Sequence, residues 1–435
     1  MEVRARQIQV PYGVGRFSPA TLVLVALLLA VIARGLYALY VQLTEGLVVT
    51  GLRDVGTMGG STWGLYIAFD VYFVGVSFAG ISTAALVRLL NLQHLRAVSR
   101  MAEVLTIVSL VLAAFSVLPD LGQPLRGIVH LLKYARPQSP FFGTFTMVIA
   151  GYLFASLVYF FLDGRRDAAL LARIPGRLQW FYRLWAAGYR GTPAERERHH
   201  RVSFWLSLAI LPMLVIAHST LGFVFGLQVG RPGWFSALQA PAFVILAGVS
   251  GVGLLIVVAA VARRTLGAQD RLTPDVFRWL GNFLMVLTAA YMYFMLVDWL
   301  TATYAAPSHE QRVSRAIFVG PYARVYWVSV ASLLAAFYLL LRQFLSGQSR
   351  IAVPVVSGVL VNIAAVGKRF LIVVPSQTHG AMLPYPPGVY APSWVEYSIL
   401  GGLVALGALM YVLFAKTFPL IDLPDDFRVE GVRRR

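Results

Sequence analysis

The fold class this sequence predicts is an all-α integral membrane protein of about ten transmembrane helices, arranged as two four-helix bundles with flanking helices. Three observations predict it. Hydrophobic residues make up 58% of the 435-residue chain and charged residues only 13%, where a soluble domain carries roughly a quarter charged residues. Several apolar runs exceed the roughly 18 residues that mark a membrane-spanning candidate. The basic residues concentrate in alternate connections, the pattern that orients membrane proteins.

The first span, 18–43, follows Arg4, Arg6 and Arg16 and contains "ATLVLVALLLAVIA" (20–33). That stretch could pass for a signal peptide, but apolar sequence resumes after Arg34 and runs to Leu43, so it reads as a retained span. Arg34 then lies inside it and must snorkel or pair. The second span, 63–90, carries Trp63, Tyr66 and Tyr72 as interfacial or packing aromatics and Asp70 about 10 Å deep. The third, 102–119, places Glu103, Thr106 and Ser109 at i, i+3 and i+6 and ends at Asp120. A fourth span, 141–162, precedes the polar, Arg-rich break 163–202, in which "GTPAERERHH" (191–200) predicts a short surface helix. The fifth, 203–226, holds His218, roughly 12 Å from its far end. The sixth and seventh cover 237–262 and 275–302, the latter with Asp298 near its end. The last three cover 323–345, 351–374 and 394–416.

"GVSFAG" (75–80) in the second span is echoed by "GVSGVG" (248–253) in the sixth, and Asp120 by Asp298. A four-helix shift preserves topology, so spans 2–5 and 6–9 read as parallel bundles. The expected divisions are an N-terminus and first span (1–62), a first bundle with the 163–202 loop (63–226), a second bundle (227–374), and a last span with tail (375–435).

With residues at the span ends counted in the connections, one set of connections and both termini hold 26 Lys and Arg against 10 on the other side. This predicts cytoplasmic termini in a cell inner membrane, with residues 120–140 facing outward. The net charge of +18 therefore reads as orientation rather than as nucleic-acid binding. The absence of cysteine excludes disulfides, covalently attached haem and thiolate-held iron–sulfur clusters within the chain. Of seven histidines only His218 lies well inside a span, which argues against a bis-histidine haem. Neither a phosphate-binding glycine loop nor a His-Glu-x-x-His zinc motif is present.

The ionisable residues gather at one depth. Asp70, Asp120, Arg126, His130, His218 and Asp298 all fall in the outer half of the predicted spans or in the outer loop. Taken singly, Asp120 is a helix end at headgroup level, Arg126 a phosphate contact and His218 an interhelical hydrogen bond. Asp70, seven residues into a span, requires a partner. A pocket of acids, an imidazole and aromatics near the membrane surface suits a lipid-soluble quinone, whose two-electron reduction takes up two protons. A chain without cysteine or haem would exchange electrons with a docked partner, an iron–sulfur protein on the outer face.

"DLGQPLRGIVHLLKYARPQSPFF" (120–142) and "WGLYIAFDVYFVGVSFAG" (63–80) resemble the polysulfide-reductase/NrfD-type membrane subunits. "GKRFLIVVP" (367–375), "YAPSWVEYSILGG" (390–402) and "FPLIDLP" (418–424) are similar to its ten-helix branch, the membrane subunits of alternative complex III and of Hmc- and DsrP-type complexes. The likeness spans about residues 60–425. It implies a quinone-reactive subunit, using menaquinone or ubiquinone, with no redox centre of its own. It also implies a ferredoxin-like iron–sulfur partner, often with a molybdopterin or multihaem subunit. Carried across by motif, Asp70, Asp120, Arg126 and His130 belong to the quinone region, with Asp120 and His130 as the reacting groups. His218 and Asp298 would lie in the second bundle as proton-path candidates, with Glu103 in the first. The stretch "PFFGTF", with Thr144, departs from members that have an acid there, so Asp70 stands in as its replacement.

Two other classes compete: a secondary transporter, for which Pro212 and Pro241 are the main candidate helix breaks, and a membrane anchor without quinone chemistry. Because only neutral residues are expected between His218 or Asp298 and the cytoplasm, protons are expected to be exchanged mainly on the outer side.

Overall fold

The structure, a computed structural model, describes residues 10–52, 61–134, 136, 138, 145–304, 306–379 and 388–424. Fourteen α-helices are described: α1 (Pro19–Glu45), α2 (Leu65–Leu89), α3 (Arg96–Val117), α4 (Pro124–Tyr134), α5 (Phe145–Leu171), α6 (Gln179–Ala186) and α7 (Pro193–Gly226), followed by α8 (Gln239–Thr265), α9 (Pro274–Tyr304), α10 (Ser308–Phe318), α11 (Ala323–Ser346), α12 (Ala352–Val373), α13 (Pro375–His379) and α14 (Trp394–Thr417). Ten of them are long and apolar enough to cross a membrane, while α4, α6, α10 and α13 are short. Because successive long helices alternate in direction, α4 and α10 lie at one end of the assembly and α6 at the other.

Inside lipid a helix satisfies its own backbone, so the long helices need only side-chain packing to assemble. α2, α3, α5 and α7 close one ring of neighbours, and α8, α9, α11 and α12 close another. α1 and α14 pair outside the rings, with α14 against α3. The rings meet where α2 packs on α8 and α12, and the two echoed segments form that junction. A Cβ on Gly251 would stand 2.7 Å from Ala79 Cβ and 2.8 Å from the Val76 carbonyl oxygen, so only glycine permits this approach. α1 meets α14 in the same way, with Gly35 set against Gly402, and buries only Gly35, Ala38 and Gln42.

The ends follow capping chemistry. Ser18 precedes Pro19 and accepts from the Thr21 N–H at 3.2 Å. Thr192 with Glu195, and Ser393 with Glu396, form reciprocal caps on α7 and α14. Each such cap contributes about 1 kcal/mol.

Three expectations change. Residues 193–200 are not a separate surface helix: they are the first turns of α7, a continuous 34-residue helix that passes through Pro212. At 1.5 Å per residue α7 is about 51 Å long, well beyond a hydrocarbon core of roughly 30 Å, so its charged start projects clear of it. Lys368 and Arg369, counted above with a connection, lie inside α12. Asp120 does not end α3 but sits in the 3-10 turn Leu118–Leu121 that follows it. The stretch 139–144, including Thr144, lies outside the described residues.

Candidate functional site

At the α4 end, two helices and a turn are knotted by hydrogen bonds. Gln42 of α1 is buried, donates from Nε2 to the Pro119 carbonyl at 2.7 Å and accepts from the Tyr66 hydroxyl at 2.6 Å. The neighbouring Asp120 carboxylate is close enough to Tyr66 and to buried Asp70, one turn deeper on α2, to act on both electrostatically. The structure therefore brings together Asp70 and Asp120, fifty positions apart in sequence. α4 packs on the Asp120 turn; along it Arg126 is exposed and His130, one turn on, is half-buried.

The knot extends to α14. Buried Glu396 accepts at Oε2 from the Gly51 N–H at 2.8 Å and the Ser393 N–H at 2.9 Å, and at Oε1 from the Tyr390 hydroxyl. That hydroxyl in turn accepts from the Leu65 N–H at 2.8 Å, at the start of α2. Gln377 grips Trp63 from the other ring, accepting from its N–H at 3.0 Å and donating to its carbonyl at 2.9 Å. The turn bearing Asp120 thus rests on a polar frame rather than on a loose loop.

His218 requires a correction: it lies in the first ring, not the second, because α7 packs on α2 and α5. Its Nδ1 is 2.8 Å from the Leu214 carbonyl and its Nε2 2.9 Å from the Val74 carbonyl of α2, one turn below Asp70. A neutral imidazole has one N–H for these two acceptors, whereas an imidazolium has one for each. Phe78 and Tyr152 stand edge-on to the ring.

Below His218, polar groups continue along the first ring. Tyr152 and Thr106 both donate to the Ser77 carbonyl, at 2.9 and 2.8 Å. Glu103, one turn along α3 from Thr106, is 1% exposed. Ser99 donates to its Oε1 at 3.3 Å, and its Oε2 has no hydrogen-bond partner among the described residues.

Asp298 is exposed on α9, within electrostatic reach of Lys368 on α12. In the sequence Lys368 and Arg369 count only toward orientation. Lys368 lies 5.7 Å from the Tyr326 ring centre, and Arg369, 1% exposed, lies 4.2 Å over Phe243. Arg369 Nη2 donates to the Phe243 carbonyl at 3.4 Å, while Nη1 has no hydrogen-bond partner among the described residues. The available signal was two adjacent cations far inside an apolar run, which is costly by default. Arg34, another cation inside a span, rests 5.9 Å from the Trp394 ring centre.

The α6 end holds a second missed constellation. Arg100, 1% exposed, pairs with Asp163 at 3.1 Å, Asp167 at 2.8 Å and Asp422 at 2.8 Å, and donates to the Pro419 carbonyl at 3.1 Å. It ties α3 to α5 and to the "FPLIDLP" segment after α14. Burial pushes the Asp422 carboxyl up to about 6 against the pull of Arg100, with Asp163 and Asp167 adding to the rise.

No three His, Cys, Asp or Glu residues among the described ones group as metal ligands. What the arrangement offers is proton exchange: carboxyl groups, an imidazole and hydroxyls running inward from the α4 end.

Comparison with known proteins agrees with the resemblance read from the motifs. Residues 55–381 match the family described as polysulphide reductase, NrfD. The chain is 30% identical to a protein of Halobacterium salinarum provisionally named as a dimethyl sulfoxide reductase membrane subunit, over 90% of this chain and 89% of the relative. It is 24% identical to a selenate reductase subunit of Mesobacillus selenatarsenatis, over 89% of this chain and 92% of the relative. It is also 24% identical to the Hdr-like menaquinol oxidoreductase integral membrane subunit of Archaeoglobus fulgidus, over 92% of this chain and 93% of the relative. With well over half of its length matched, and with ten apolar helices, eight of them in two rings, the chain belongs to the polysulphide reductase NrfD family of membrane proteins.

Proposed function

We propose that this chain is the quinone-reactive membrane subunit of a multi-subunit oxidoreductase. It exchanges electrons with an iron–sulfur partner docked on the α4 end and protons with the quinone. The names of the relatives support it, since they are subunits of reductases or of a menaquinol oxidoreductase. The observation that carries it is buried Asp70 within electrostatic reach of Asp120, on the turn against which the helix bearing Arg126 and His130 packs. A quinone gains two electrons and two protons to become a quinol. The electrons come from or go to the partner, and carboxyl and imidazole groups at the membrane surface hold or release the protons. In this reading Asp120 and His130 serve the quinone oxygens, Asp70 backs Asp120, and Arg126 offers positive charge at the mouth. The chain sits in the inner membrane with its termini in the cytoplasm and the α4 end outward.

The test is quinone turnover by the purified complex. Asp120→Asn and His130→Ala should each lower it by about tenfold to a hundredfold while the complex still assembles. Full activity in both variants would refute the assignment. Iron without co-extracted quinone would favour a bare anchor, and substrate flux in liposomes would favour a transporter.

A second reading has its own support. Buried Glu103, the Thr106–Ser77–Tyr152 contacts and His218 form a broken line of polar groups through the first ring. This departs from the expectation that protons are exchanged mainly on the outer side. On this reading Glu103→Gln in sealed liposomes should abolish net proton movement while quinone turnover persists. If Asp298→Asn does so instead, the route runs through the second ring.

A further inference from the structure

At the α6 end a cavity of about 700 Å³ opens among the end of α2, the start of α3, the last turns of α5, residues 189–191 and the first turns of α7. This volume falls within the roughly 300–1,000 Å³ of small-molecule sites and far exceeds the ~30 Å³ of one water. Seven arginines and two histidines line it against three aspartates. The aspartates are already committed to Arg100, whose three ion pairs close the floor of the cavity. The remaining walls are positive: Arg96, Arg166, Arg173, Arg190 and Arg196 come from four separate segments. Membrane orientation asks only that basic residues occupy these connections, not that they converge on one space. A further polar group in the wall is unsatisfied, because His199 Nδ1 is buried without a hydrogen-bond partner among the described residues.

The level of the cavity narrows the occupant. α7 begins its apolar run only near Ser203, so Arg196 and His199 stand one to two turns beyond the hydrocarbon. That is the depth of lipid headgroups, where basic pockets between membrane helices hold phosphate-bearing groups. Guanidinium groups match phosphate oxygens through paired, charge-assisted hydrogen bonds.

We propose that this cavity is a binding site for a phosphate-bearing anion, held by Arg173, Arg196 and their neighbours above the Arg100 ion-pair floor. The same chemistry is supplied by an anionic phospholipid headgroup or by a soluble polyphosphate. The site is independent of the quinone region, which lies at the opposite end. Its occupancy would brace α2, α5 and α7 against one another on the side away from the redox partner.

The test uses the full chain, purified within its complex, and native mass spectrometry with three probes: dioctanoyl phosphatidylglycerol, dioctanoyl phosphatidylcholine and inorganic pyrophosphate. The wild type should bind an anionic probe in preference to phosphatidylcholine, and Arg173→Gln/Arg196→Gln should bind it about tenfold more weakly. Arg173→Lys/Arg196→Lys should retain most of the binding, separating lost charge from lost fold. Phosphatidylglycerol binding that pyrophosphate cannot displace identifies a lipid site, and pyrophosphate binding alone identifies a soluble ligand. Equal affinity for phosphatidylcholine, or unchanged anion binding in the Gln variant, would overturn the proposal.

Discussion

Replacing Arg100 by Gln removes the cation shared by buried Asp167 and the partly buried Asp163 and Asp422. The guanidinium reaches Asp163, Asp167 and Asp422 at 3.1, 2.8 and 2.8 Å with only 2% of its side chain exposed. After the change, Arg88 still stands 3.7 Å from Asp163, and no ion pair to Asp167 or Asp422 remains among the described residues. Breaking a buried ion pair by deleting one partner costs about 3–5 kcal/mol, because the other charge stays desolvated. For a chain of this size that corresponds to a fall of roughly 3–10 °C in melting temperature, scaled from smaller domains. The size of the fall should depend on pH. Burial already holds Asp422 up to about 6, and loss of the Arg100 charge raises it further. The folded state then keeps protons that the unfolded chain releases, so stability is lost as pH rises through the folded values. Arg100→Gln should therefore be more damaging at pH 8 than at pH 5, and Arg100→Lys intermediate, since one ammonium cannot fork to three diverging carboxylates. The assay is thermal unfolding in detergent at both pH values, with limited proteolysis after residue 417 reporting release of the terminal segment. A variant within 1 °C of wild type at pH 8 would refute the reasoning, as would a larger loss at pH 5.

Other outcomes can be checked independently. In this cysteine-free chain, a cysteine at exposed Gln123 should react with an impermeant thiol reagent in intact cells, and one at exposed Arg198 should not. Gly191 is the poorer reporter, because its φ of +74° strains any side chain. Burial raises the Glu310 carboxyl above its ordinary value of 4.5, opposed by the Gly233 N–H that donates to it at 2.6 Å. Its folded form therefore loses stability as pH rises from about 4.5, so Glu310→Gln should raise the melting temperature at pH 8 and leave it unchanged at pH 4. A lower melting temperature at pH 8 would show that the ionised carboxylate is needed.

The sequence by itself determined the ten spans, their alternation and the family. Each rests on local composition: apolar runs long enough for the bilayer, basic residues between them, and short motifs in fixed order. It also placed Asp70, Asp120 and His218 at similar depth, because depth follows from counting residues along a helix. Tertiary structure alone decided which of these residues meet. Asp70 and Asp120 come together because α2 and the turn after α3 are clasped by Gln42, which sits on a helix with no charge pattern to mark it. His218, assigned to the second bundle by the resemblance although its span counts in the first, packs in the first ring, where its Nε2 reaches the Val74 carbonyl, a backbone partner that no sequence motif records. Glu103 is sealed among the helices of the first ring, since burial depends on neighbours and not on distance from a helix end. The Arg100 cluster joins residues up to 322 positions apart, and the arginines above it looked like ordinary topology charges until folding turned them toward one space. Periodicity along the chain reports what each helix shows to lipid; which polar groups face one another inside depends on the rotation and crossing of helices, and those are set by contacts such as Gly251 against Ala79.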